Sequence, residues 1–292
     1  MLIARLIAEP AALAAKCDAA VRALEAQGFK VHRADVLAAH GDVLELAAEQ
    51  GGADALRGVL DQQFGPVDLL VSDAVPTVPR LFVSDMDSTM ISAECIDELA
   101  DFAGLKDQIA AITERAMQGE LDFAEALTER VRLLGGLSEG AIQQCLDERI
   151  APMPGARVLV ESLKGQGCHT VLVTGGFHQF ADPVAEDLGF ERVVANRLAV
   201  EHGKLTGGLD GGIVDSGVKE AVLREHAARL GGSSLATGDG ANDIPMLRAA
   251  SYGVAYHAKP KARAAAHGWI DAGDLTSVLK LLGIPREEWI WE

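Results

Sequence analysis

The chain has 292 residues, 49% apolar and 24% charged, the balance of a soluble globular protein of about two domains. Its 43 acidic against 26 basic side chains give a formal charge of −17. That charge argues against nucleic acid or an anionic membrane as the main partner, because both need clustered Lys and Arg.

Residues 1 to 76 read as a small α+β unit. "LIARLIAE" is a strand and "PAALAAKCDAAVRALEAQG" a helix, opened by Pro10 and closed before Gly28. "MLIARLIAEPAALAAKC" is apolar, but Arg5, Glu9 and Pro10 interrupt it and no basic segment leads it, so it is not read as a signal peptide. "FKVHRADV" is a strand, "VLELAAE" a strand or a helix, "GADALRGVLDQQFG" a helix and "VDLLVSD" a strand. This βαββαβ order predicts a small sandwich. "AVPTVPR" follows as a linker.

From Leu81 to the C-terminus the texture changes, so residues 77 to 292 form the second domain. "LFVS", "TVLV", "RVVAN" and "SLAT" are short apolar runs ending in small or polar residues, with helical segments between them. The alternation predicts a doubly wound parallel α/β sheet. About 80 mostly helical residues separate the first two of these strands, so an inserted helical cap is expected over about 91 to 150. "NRLAVEHGKLTGGLDGG" reads as a β-hairpin turning at His202 and Gly203. Cys17, Cys95, Cys145 and Cys168 form no CxxC and read as free thiols of a reducing cytoplasm. No apolar run reaches the ~20 residues that cross a bilayer.

Ligands of open α/β sheets bind beyond the carboxyl ends of the strands, and four polar stations fall there. In "VSDMDSTM", Asp85 and Asp87 stand two apart and can face one centre. Alone they would repel, and one would keep its proton; Mg²⁺, which takes a few carboxylates with water and phosphate oxygens, would relieve the repulsion. In "ATGDGANDIPML", Asp239 and Asn242 follow a strand through a glycine turn, with Asp243 read as the cap of the next helix. Asp239 lies 154 positions beyond Asp85 (239 − 85), so only the sheet can bring them together. In "VTGGF", the hydroxyl of Thr174 and the N–H of Gly175 suit a phosphate oxygen. In "DSGVKEAVL", Lys219 sits in the first turn of a helix, where a cation is mildly disfavoured. Each station alone also fits an ordinary turn, cap or solvated side chain.

Together, in this order, they resemble the haloacid-dehalogenase superfamily of phosphotransferases and, within it, the phosphoserine phosphatases. The resemblance spans about residues 78 to 284; residues 1 to 76 are similar in position to the ACT-like regulatory domain of bacterial members. It implies that Asp85 is the nucleophile, forming an aspartyl phosphate, and Asp87 the acid and base. It places Mg²⁺ on Asp85, Asp239 and the backbone carbonyl of Asp87. Thr174 (a serine in many members), Gly175, Lys219 and Asn242 would bind the phosphoryl group. Glu94 would take the ammonium and Arg130 the carboxylate of a phosphoserine substrate. In "LDFAEALTERVRLL", Phe123, Leu127, Arg130 and Leu134 share one helical face, so an arginine interrupts an apolar stripe; it either snorkels at the edge or grips a carboxylate.

The implied reaction is Mg²⁺-dependent hydrolysis of O-phospho-L-serine, the last step of serine synthesis. Other readings are a phosphatase for another small phosphomonoester, a phospho-accepting signalling module, and a serine-binding regulator. Asp87 speaks against the signalling module, which needs a lasting phosphoryl group. No GxSxG and no HExxH occur. The sequence leaves the oligomeric state open, a homodimer included, and leaves open whether Trp289 and Trp291 pack on the body or on a partner.

Overall fold

The computed structural model describes residues 1–117 and 120–291. Gln118, Gly119 and Glu292, inside the ranges read as cap and second domain, lie outside the described residues. The chain begins β1 (Leu2–Ile7), α1 (Pro10–Ala26), β2 (Lys30–Val36), β3 (Val43–Glu49), α2 (Ala53–Phe64) and β4 (Asp68–Ser72). "VLELAAE" is strand β3, and all of it but Glu49 is buried. It lies between β1 and β2 in the sheet, so the period-two signal that would have marked it as a strand is lost. These strands pair antiparallel in the order β2-β3-β1-β4, the ferredoxin-like arrangement of split βαβ units.

The second part starts with β5 (Leu81–Ser84), whose four residues are all buried. The insertion contributes α3 (Cys95–Phe102), α4 (Lys106–Met117), α5 (Phe123–Leu133) and α6 (Glu139–Arg149). Then come α7 (Ala156–Gly165), β6 (His169–Phe177), α8 (His178–Leu188), β7 (Arg192–Asn196), β8 (Leu198–Glu201), β9 (Lys204–Leu209) and α9 (Ser216–Leu230). The chain closes with β10 (Ser234–Gly238), α10 (Ile244–Ala249), β11 (Tyr252–Tyr256), α11 (Pro260–Ala265), β12 (Gly268–Ile270) and α12 (Ser277–Leu282). β8 and β9 form the hairpin read at His202 and Gly203, which both take positive φ, 51° and 74°.

Strands β12-β11-β10-β5-β6-β7 run parallel in that order. The first of them in sequence, β5, lies in the middle with β10 on one side and β6 on the other. The order therefore reverses beside β5, and a crevice is expected beyond the ends of β5 and β10. The N-terminal strands continue this sheet, because β4 pairs antiparallel with β12 (Gly268↔Leu70, Trp269↔Leu69). One ten-stranded sheet results.

Alternating side chains split the apolar core between the two faces of the sheet. Phe82 of β5, Leu172 of β6 and Leu70 of β4 join one cluster with the helices of the insertion. Val83, Val171, Val173, Leu69 and Val71 join the other, which also holds Leu13, Leu24, Leu56 and Leu60 from α1 and α2. Helix α12 packs on β1 and β4. Further ties cross between the two parts. Asp68 accepts from the backbone N–H of Asp271, Ala272 and Gly273 at 3.0, 2.9 and 3.2 Å. Arg5 donates to the Leu281 carbonyl at 3.0 Å, and Lys280 donates to Asp42 at 2.5 Å. Trp289 is buried on the body, donating to the Ile284 carbonyl, whereas Trp291 is half exposed. Among the described residues, no helix is long and apolar enough to cross a membrane.

Candidate active site

Strand β5 delivers Asp85 to the crevice. Its N–H donates to the Thr237 carbonyl at 3.0 Å, which extends the β5–β10 ladder by one rung. The chain then turns sharply. The Met86 carbonyl accepts from the N–H groups of Thr89, Met90 and Ile91 at 3.2, 2.8 and 3.1 Å, with Ser88 at φ 54°. Asp87 is thereby held on the same side as Asp85, and its Oδ1 accepts from the Cys95 N–H at 3.3 Å.

Lys219 comes from beneath. Asp215 caps α9 by accepting from the Val218 N–H at 2.9 Å, which fixes the first turn that carries the lysine. The side chain of Lys219 is 1% exposed, and its Nζ lies 2.7 Å from both Asp85 Oδ1 and Asp243 Oδ1. Burial opposes the ammonium, but the two carboxylates outweigh it and hold the pKa above its usual value. The cation disfavoured at a helix start is stabilised by this pair of anions.

Asp243 is the residue the sequence reading misplaced. Its side chain makes no cap bond to α10. It accepts instead from Lys219 Nζ and, at 3.0 Å, from the Gly240 N–H inside its own loop. A helix-capping aspartate and a buried lysine partner look alike in "GANDIP"; the remaining signal was a second carboxylate four residues after Asp239. Gly238 is needed here, because a Cβ on it would come within 2.5 Å of the Asp243 carboxyl carbon.

Carboxylate oxygens of Asp85, Asp239 and Asp243 lie within 4.8 Å of one another, and all three residues are buried. Burial pushes the Asp85 carboxyl well up, Asp243 adds to the rise, and Lys219 opposes it. Burial also raises Asp239, with Lys259 pulling it back. Three desolvated acids facing one point, with one buried lysine between two of them, fit a site for a hard metal cation. Asp87 is not one of that trio of carboxylates; the metal reading concerned its backbone carbonyl.

A cleft of about 250 Å³ opens over this cluster. Asp85, Asp87, Glu94, Arg130, Thr174, Gly175, Asp239 and Asn242 line it, so the structure gathers every site residue read from the sequence except Lys219, which lies under Asp85. Thr174 is buried, and its Oγ1 accepts from the Gly176 N–H at 2.9 Å, leaving the hydroxyl proton free to donate. Asn196 ties this loop to the run before α9, donating to the Gly175 carbonyl at 2.7 Å and accepting from the Val214 N–H at 2.8 Å. Asp87 is pushed up to about 7, first by burial and then by Glu94.

The insertion roofs the cleft. The stripe of α5 faces it through Phe123, Leu127 and Arg130. A Cβ on Gly175 would sit 3.2 Å from Phe123 Cζ, so glycine lets the roof approach the phosphate-type loop. Burial lowers the Arg130 pKa, while Asp97 and Glu94 favour its charge. Glu94 is exposed at the start of α3 and accepts from Ser88 Oγ at 2.9 Å. Lys259, which follows the buried strand β11, also lines the cleft and belongs to none of the four stations read from the sequence.

A central parallel sheet with convergent acids at its switch point and a helical roof defines a class, that of doubly wound α/β proteins with a carboxylate-lined site under an inserted cap. The chain belongs to the haloacid dehalogenase-like hydrolase family, whose profile matches residues 82–248. A phosphoserine phosphatase of Albidiferax ferrireducens is 43% identical over 232 residues, covering 77% of this chain and 95% of the relative. The chain spans about half the length of some relatives, 52% of a phosphoserine phosphatase of Streptomyces coelicolor. A crystal structure of a probable phosphoserine phosphatase from Vibrio cholerae superposes with a TM-score of 0.75 at 30% identity, covering 100% of this chain and 90% of that one. A solved phosphoserine phosphatase with a phospho-aspartyl intermediate analogue superposes at 0.63 with 36% identity, covering 69% of this chain and 98% of that one.

Proposed function

We propose that this protein hydrolyses O-phospho-L-serine to L-serine and phosphate, using Mg²⁺, in the cytoplasm. The observation that carries the reading is one cleft with a nucleophile, an acid and phosphate donors at its floor and an ammonium and carboxylate pair of contacts in its roof. Asp85, Asp87, Thr174 and Gly175 supply the first set, and Glu94 and Arg130 the second. The names of the relatives, and the intermediate analogue in one of them, support the same reaction. Four free thiols support a reducing compartment.

Asp85 attacks phosphorus, and the seryl oxygen leaves with a proton from Asp87. With its pKa near 7, the Asp87 carboxyl is about half protonated at neutrality and more so below it, so it can give that proton. Once ionised, the same carboxylate takes a proton from the water that cleaves the aspartyl phosphate. Thr174 and Gly175 donate to the phosphoryl oxygens, as does Lys219, which changes partner from Asp243; Asn242 orients the group. Asp85, Asp239 and the backbone carbonyl of Asp87 would hold Mg²⁺, with Asp243 close enough to add a ligand; bound there, the ion would neutralise charge on the phosphate and on the acids around it. Arg130 grips the substrate carboxylate and Glu94 its ammonium.

The test is phosphate release from a panel of phosphomonoesters, with Mg²⁺ and with EDTA. Phosphoserine should be the best substrate and EDTA should abolish turnover. Preference for a sugar phosphate would refute the substrate, and undiminished activity of Asp85→Asn would refute the chemistry.

A further inference from the structure

The cleft is acidic as well as polar. Its lining carries Asp85, Asp87, Glu94 and Asp239 against only Arg130 and Lys259. The whole chain is at −17. A phosphomonoester dianion approaching from solvent therefore meets the negative field of the chain at long range, before a metal at the floor could offset it. Lys219 lies buried below the floor between Asp85 and Asp243, out of reach of an anion still at the mouth, and Arg130 is half-buried in the roof, with its Nε bonded to the Ala126 carbonyl.

Lys259 differs from both. Its side chain is 70% exposed, and its Nζ lies 3.6 Å from Asp239 Oδ2, an ion pair too long for a good hydrogen bond. The backbone beneath it is fixed. The Lys259 N–H donates to the Asp239 carbonyl at 2.9 Å, His257 before it takes φ 40°, and Pro260 after it opens α11. A pinned Cα with a loose, exposed ammonium is the arrangement of a charge that can swing between Asp239 and an arriving anion. A lysine suits this use, being a compact charge on a flexible stem.

Resting on the phosphatase reading, we propose that Lys259 is a steering and positioning residue for the phosphoryl dianion. It meets the phosphate at the mouth of the cleft and reduces the repulsion from Asp239 as the group passes to Thr174 and Gly175. Its contribution belongs to capture, so it should act on kcat/KM and fade as salt screens it.

The experiment compares full-length wild type with Lys259→Gln, Lys259→Glu and Lys259→Arg. Steering of this kind changes capture by 10-fold or more, so Lys259→Gln should lose roughly tenfold in kcat/KM at low salt with kcat within about twofold. Lys259→Glu should lose more and Lys259→Arg should recover most of the loss. Wild-type kcat/KM should fall more steeply with ionic strength than that of Lys259→Gln. Equal salt slopes, or Lys259→Glu matching Lys259→Gln, would overturn the proposal. So would a fall confined to kcat with weakened Mg²⁺ binding in calorimetry, because that is what a prop for Asp239 alone would give. Calorimetric binding of inorganic phosphate separates this idea from the reaction itself. Tighter phosphate binding by wild type than by Lys259→Gln supports Lys259 even if phosphoserine is not the substrate, and equal binding counts against it.

Discussion

Replacing Lys219 by methionine tests the electrostatics of the floor most directly. The ammonium is 1% exposed and lies 2.7 Å from two carboxylates that are themselves 6% and 0% exposed. Methionine keeps much of the volume and removes the charge, so the substitution strands Asp85 and Asp243 as buried anions. Breaking a buried ion pair by removing one partner costs about 3–5 kcal/mol. A domain is stable by about 5–15 kcal/mol, so the variant should still fold. The loss should depend on pH with a definite sign. Burial already raises Asp85 in the wild type, and Lys219 is the main influence that lowers it. Without Lys219 the folded-state value rises further above the unfolded one, about 3.9. A carboxyl raised on folding keeps its stability below the unfolded pKa and loses it as pH climbs through the folded pKa. The destabilisation should therefore be larger at pH 8 than at pH 5. Urea unfolding of both proteins at the two pH values, without metal and then with excess Mg²⁺, reads this directly. Mg²⁺ should restore part of the loss at pH 8, because it binds the same stranded acids. A deficit equal at both pH values, or untouched by Mg²⁺, would refute the reasoning.

The other predictions concern chemistry, selectivity and the join between the two parts. Asp87→Asn should lower phosphoserine turnover by about 10²–10⁴-fold, the usual worth of general acid–base catalysis. It should spare the first step with p-nitrophenyl phosphate, whose leaving group needs no proton, so phosphoenzyme should accumulate in rapid-quench samples. In wild type the acid form of Asp87 declines as pH rises through about 7, so single-turnover cleavage of phosphoserine should slow there while p-nitrophenyl phosphate is unaffected. Arg130→Ala removes a charge-assisted contact whose loss of even one hydrogen bond is worth about 1.5–3 kcal/mol, so preference for phosphoserine over phosphoethanolamine should fall by at least roughly 10–100-fold. Asp68→Ala orphans three backbone N–H groups; with water reaching some of them, the cost should be about 2–4 kcal/mol in a single urea transition, and a separate early transition would show that residues 1 to 76 unfold alone. If residues 1 to 76 bind serine as a regulator, Arg130→Ala should still bind it in calorimetry, and loss of all binding would confine serine to the cleft.

The chemical stations were legible because each is a local event: a strand end followed by a carboxylate, a hydroxyl or glycines. "LFVS", "TVLV" and "SLAT" announce β5, β6 and β10 through unbroken burial. That Asp85 and Asp239 meet is a property of β5 and β10 lying side by side, which pattern alone could only suggest. Asp243 was hidden because its local signature is that of a helix cap, while its partner, Lys219, lies 24 positions away. Lys259 was hidden for a similar reason. It borders the cleft only because β11 pairs with β10, and its short flanking elements carry little periodicity. The continuation of the sheet from β4 into β12 was not legible either, since β12 is three residues long and its partner lies some two hundred positions earlier.

That short strand has a consequence for how the chain avoids sticking to copies of itself. Cut at the linker, β12 would become a bare border of the sheet, with Trp269 and Ile270 beside unpaired peptide groups, an invitation to strand addition. Strand β4 seals that border and passes the role of outermost strand to β2. There Lys30, His32, Arg33 and Asp35 crowd the ribbon, and the register slips between Val31 and Arg33. Charge and a bulge are the two devices that discourage a neighbour from docking. The first seventy residues thus serve solubility as well as architecture, and a shortened protein starting near Val78 should precipitate where the full chain does not.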